Sequence, residues 1–179
     1  MRHKRLIVLT LAVAALAVAP TLAGAQNVSV RPAAITATHA ASVLAVPKFV
    51  FHAGLAFGAF HHFIYLPFKG GKFTSGSFLS KLKNYVEAGA AALFVYHETK
   101  LALRDAQQNK VLKLVVAPLT AVVALFNAIV SKVKGHNLDA ATITSAEGAV
   151  ATIEDQAKRS GSSVSEVVPS AKQLLTGSA

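Results

Sequence analysis

The chain has 179 residues, 53% of them hydrophobic, with no cysteine, no tryptophan and a formal net charge of +10. That length supports one hydrophobic core and hardly two. Lack of cysteine excludes disulfides, thiolate nucleophiles and zinc–thiolate sites, so stability must come from packing, from assembly or from a membrane.

The first 25 residues read as a secretory signal peptide. Arg2, Lys4 and Arg5 form a positive start, Leu6 to Leu16 is an almost unbroken apolar run, and Ala23-Gly24-Ala25 offers a small-residue cleavage pattern. The expected mature chain starts at Gln26, after cleavage between Ala25 and Gln26. The protein is then secreted or held at the cell envelope. The apolar run is short for a retained membrane anchor. From Gln26 to Gly135 there are 12 Lys/Arg and 3 Asp/Glu, whereas the rest of the chain has 3 Lys/Arg and 5 Asp/Glu. A basic front of this kind suits anionic envelope polymers or a membrane surface. The cations are scattered, with no Lys/Arg-rich run, and the chain carries an export signal, so nucleic acid is excluded as a partner.

Residues 26–46 show no helical period and read as a flexible N-terminal arm. A hydrophobic helical core is expected over 47–135. Its first helix runs from about Pro47 to Leu66, bounded by Pro67 and Gly70-Gly71. The uncharged stretch Phe49 to Phe68 reaches about 30 Å as a helix, which is bilayer length. Gly54 and Gly58 share a side with His61 and Tyr65, and two glycines on one face admit a close backbone.

Residues 73–78 read as a loop. The second helix spans about Leu79 to Asn109. Leu82, Val86, Ala90, Leu93, His97 and Leu101 form its apolar stripe, and Asn84, Glu87, Glu98 and Asp105 its wet side. Gly89 and the alanines after it give a slim waist to receive the glycine face of the first helix. The third helix lies between Val111 and Lys134, with an expected kink at Pro118 and a stop at Gly135. Its uncharged part, Leu114 to Val130, is about 25 Å long, short for a span.

Residues 136–179 form an amphipathic helical tail. Thr144 and Glu147 fit a capping box, and Val150, Ile153 and Ala157 give the helix an apolar face. Gly161 stops it. Ser163 and Glu166 suggest a second capping box, shortened by Pro169. No segment alternates with period two, so no sheet is expected.

Histidine is the one hint of chemistry. Antiparallel packing of the first two helices would bring His61 towards His97 and Glu98, a set able to hold a divalent ion. His97-Glu98 lacks the second histidine of a zinc-protease helix, because position 101 is Leu101. A nucleophile elbow, a phosphate loop and a dinucleotide fingerprint are all missing, and the few acids before Gly135 lie along one helix. Enzyme chemistry is therefore not expected, and no cofactor is implied.

The stretches AGLAFGAFHHFIY (residues 53–65) and AGAAALFVYHETKLAL (residues 88–103) resemble a family of small exported helical proteins of high-GC Gram-positive bacteria. The likeness covers about Pro47 to Gly135. It implies a compartment, not an activity, because the family has none assigned. The expected architecture is an all-α compact bundle of three core helices, with one or two amphipathic C-terminal helices. The expected function is that of a non-enzymatic secreted or envelope protein acting through surface contacts, with homo-oligomerisation left open. The alternative is insertion in a membrane through residues 49–68 and possibly 114–130, and a lesser one is metal binding by histidine.

Overall fold

The computed structural model describes residues 33–177, with side chains from Leu44 onward. The expected signal peptide and residues 26–32 of the expected arm lie outside these. Among the described residues every regular element is helical, and the fold is all-α.

Helix α1, Ala33–Phe60, continues through a π turn, His61–Tyr65, into α2, Leu66–Lys69. Residues 33–46, expected as a flexible arm, are thus helical, and Pro47 lies inside α1 rather than at its start. Pro47 is exposed. Its missing N–H therefore falls on the wet side, where a helix tolerates it best. Nor does Pro67 end the helix at Leu66. A proline ring crowds the carbonyl four residues back, and a widened turn makes room. The Leu66 N–H accordingly donates to the His61 carbonyl, five residues earlier.

Gly71, at φ +68°, turns the chain back. Helix α3, Phe78–Gln107, is capped by Ser77, whose hydroxyl accepts from the Ser80 N–H at 3.2 Å. After a short 3-10 turn comes α4, Lys113–Lys134. Pro118 sits in its second turn without breaking it, and the helix stops at Gly135 as expected.

Helix α5, Ala140–Arg159, starts earlier than the Thr144–Glu147 pattern suggested. Asp139 caps it, accepting from the Thr142 N–H at 2.8 Å and pairing with Lys132 at 2.6 Å. Lys132 first, then the Thr142 N–H, pull the Asp139 carboxyl down to about 2. The second expected capping box does not form. Residues 162–169 instead have no regular secondary structure, and α6, Ala171–Thr176, is capped by Ser170 with Gln173.

Helix α3 packs on α1 and on α4, and α4 packs on α5. Phe49, Phe57 and Phe60 of α1 fill the centre with Phe94 of α3 and Phe126 of α4, and the Phe60 and Phe126 rings are 5.2 Å apart. Burial of each such ring stabilises the fold by about 1.5–3 kcal/mol.

Candidate functional site

Helix α3 is turned over relative to its expected orientation. Leu82, Val86 and Leu93 of the expected core stripe are exposed, and Glu98 and Asp105 of the expected wet side are buried, at 1% and 2% exposure. The reason is volume. The phenylalanines of α1 supply the bulk, so α3 offers the small side chains Ala88, Ala91, Ala92, Ala102 and Ala106 to the core. Glu98 and Asp105 lie on that same side, and a buried carboxylate needs a partner. His52 of α1 is the hydrogen-bond partner of Glu98, while Asp105 Oδ2, nearby, is buried without a hydrogen bond. The His52 Nδ1 is 2.6 Å from Glu98 Oε2, and its Nε2 is 3.8 Å from Asp105 Oδ2. Arg104 approaches the other Asp105 oxygen at 3.5 Å.

A second tie forms on the opposite side of α1. Gly54, Gly58 and His61 do share a face, but that face does not receive the waist of α3. It receives the irregular segment 162–169, here called the strap. The Val167 N–H donates to the Gly54 carbonyl at 3.0 Å. A Cβ on Gly54 would collide with the Ser165 carbonyl oxygen, and one on Gly58 with that of Val167. Only glycine lets the strap lie this close. His61, on the π turn, then pairs through Nε2 with Glu147 of α5 and through Nδ1 with Glu166 of the strap. Glu154 of α5 completes the cluster. Burial raises its carboxyl above the ordinary 4.5, Glu166 and Glu147 add to the rise, and His61 opposes it.

The set His61, His97 and Glu98 is not brought together. Adjacent residues on a helix point about 100° apart. Glu98 therefore faces α1, while His97 is exposed and lines a shallow cleft of about 580 Å³ with Leu93, Leu174 and Leu175. Both His61 nitrogens already face carboxylates. Among the described residues no three His, Asp or Glu side chains converge as a metal site. Gly89 also meets a different neighbour from the one expected. A Cβ there would lie 3.7 Å from Val133 of α4, an ordinary contact. The sequence shows Asp105 only as a polar position of α3 and Glu147 and Glu166 only as capping residues, with no sign that they meet His52 or His61. The signal for the place of Asp105 was present, since it stands seven after Glu98 on the alanine side of α3.

The open surfaces are apolar and basic. Phe78 and Leu79 project from the start of α3, followed by Leu82, Val86 and Leu93. Exposed Lys72 and Lys83 flank the first of these. No protein-family model, curated protein or solved structure matches this chain.

Proposed function

We propose that this is an exported, envelope-associated helical protein that acts through surface contacts and not through chemistry of its own. The observation that carries the reading is the buried tie of His52 to Glu98 and Asp105. It commits the apolar helix α1 to α3, a helix rich in charge, and so favours a bundle packed in protein. The imidazoles and carboxylates that a hydrolase would leave open to substrate are here spent between helices. The basic N-terminal pattern with its apolar run and Ala23-Gly24-Ala25 supports export. The likeness of residues 53–65 and 88–103 to exported helical proteins supports it too.

A second reading is insertion in a membrane. Two segments, Leu44–Lys69 and Lys110–Lys134, are long and apolar enough to cross one, and only a third of the second window is buried in protein. Against insertion, α3 runs between them with Lys81, Lys83, Glu87 and Arg104. Each charge at mid-bilayer costs about 2.5–3.5 kcal/mol on insertion scales. Alkaline carbonate extraction of membranes, with the medium assayed alongside, separates the two. Protein in the medium or the carbonate supernatant is expected. Protein released from the pellet only by detergent establishes insertion instead.

A further inference from the structure

We infer that the end of the bundle made by the turn after α2 and the first turns of α3 docks on an anionic lipid surface. This rests on the reading of an envelope protein acting through surface contacts, and it names the surface that makes the contact.

Phe78 and Leu79 are 75% and 74% exposed, among the largest apolar exposures in the described chain. Beside them a shallow cleft of about 310 Å³ opens between the start of α3 and the end of α4, near Tyr85 and His136. Tyr85 fixes that junction by donating its hydroxyl to the His136 carbonyl at 3.1 Å. The charge around this apolar tip is mainly basic, although Glu87, one turn further on, pairs with Lys83 at 3.8 Å. From Leu66 to Val86 the sequence holds four lysines and no Asp or Glu. The first turn of α3 has no acid either, so the positive end of a 30-residue helix is left uncompensated there.

The combination selects the partner. A soluble polyanion would satisfy the lysines and leave Phe78 and Leu79 in water. A second copy of the chain meeting this tip with its own tip would bring the same positive charge to the contact and be repelled. An anionic bilayer takes both features. Apolar side chains enter below the headgroups, and lysines reach the phosphates with their stems along the apolar zone. The small residues of the turn, Gly70-Gly71 and Thr74 to Ser77, leave little bulk to hold the tip away. Another apolar–cationic pair, Val111 and Leu114 with Lys110 and Lys113, lies at the start of α4. It has no aromatic ring, and the length of α3, about 45 Å, separates it from this tip.

The test is co-sedimentation of the full purified chain with vesicles of phosphatidylglycerol and phosphatidylcholine in equal parts, and with phosphatidylcholine alone. Binding to the anionic vesicles only is expected, weakening as ionic strength rises towards about 1 M. The double variant Phe78→Ser with Leu79→Ser should bind at least about tenfold more weakly with unchanged circular dichroism. Lys81→Glu with Lys83→Glu should do the same, and it carries the test if the first variant misfolds. Val111→Ser with Leu114→Ser should bind as the parent does. Failure to bind anionic vesicles overturns the proposal, and so does loss of binding only in the α4 variant. Equal binding of the anionic vesicles by parent and Phe78/Leu79 variant overturns it as well, as does a change of oligomeric state in that variant without lipid. A chain found in the carbonate supernatant that ignores these vesicles leaves the envelope reading standing and removes the lipid surface.

Discussion

His52 and His61 lie on one continuous helical run, and each faces two carboxylates. The chemistry is the same, but the surroundings are not. Glu98 is buried to 1%, whereas the side chains of Glu147 and Glu166 keep 31% and 34% of their exposure. In the core, a carboxylate that loses its partner has no water to turn to. At the strap, water replaces a lost partner, and the pair adds little. The first tie therefore holds two core helices together. The second sets where the strap rests, while the glycine face of α1 does the holding.

The sharpest way to break this contrast is to remove one buried partner. Glu98→Ala should lower global stability by about 3 kcal/mol, because His52 loses its 2.6 Å partner in the seam and keeps only Asp105, 3.8 Å away. Urea unfolding measures it. A loss below about 1 kcal/mol would put both ties in the weak class and end the distinction. Gly58→Leu comes next, at about 1–3 kcal/mol of overpacking. Its side chain meets the Val167 carbonyl, so the strap must lift. Limited proteolysis within residues 163–168 should accelerate, with amide exchange in α3 and α4 nearly unchanged. Loss of exchange protection in α3 and α4 equal to that in Glu98→Ala would make the strap part of the core.

The same contrast explains what the sequence made legible. Helix periods, the stop at Gly135 and the glycine–histidine face of α1 depend on neighbours in the chain, and they were readable. The orientation of α3 was not. Leu82, Val86 and Leu93 outvote Glu98 and Asp105 in any local measure of polarity, and the deciding partner, His52, lies 46 residues before Glu98. The strap was hidden for a related reason. Gly54 and Gly58 announce a close approach without saying whether a helix or an irregular segment makes it. Ser163 to Glu166 matches a helix start that the docking of Val167 on Gly54 overrides. Asp139 prevailed over Thr144 as the cap of α5 because Lys132, on the preceding helix, favours its charge.

At the exposed end of the contrast, effects should be small and local. His61→Ala should lower global stability by about 1 kcal/mol or less. It should leave the strap seated on Gly54 and Gly58 but loosen its Glu166 end, since Glu147 and Glu166 then lose the imidazole between them. Proteolysis of the strap without a matching fall in the urea midpoint is the expected pattern. A global loss as large as that of Glu98→Ala would place His61 in the core class.

The smallest expected effect is the most specific, because its sign changes nothing but the charge. The folded carboxyl of Glu154 is raised above its ordinary value by burial and then by Glu166 and Glu147. Its contribution to stability is therefore fully present below pH 4.5 and lost as the pH climbs through the raised folded value. At pH 7 the ionised group opposes the closed cluster, and Glu154→Gln should raise stability by a few tenths of a kcal/mol, about the ceiling for a site open to water. At pH 4 the gain should vanish, because the wild-type carboxyl is then protonated in the fold. His61 is the one group that lowers the Glu154 carboxyl, so the gain at pH 7 should grow in a His61→Ala background. Additivity of the two substitutions in a double-mutant cycle would mean that the imidazole does not neutralise this cluster, and that the strap is held by its glycine contacts alone.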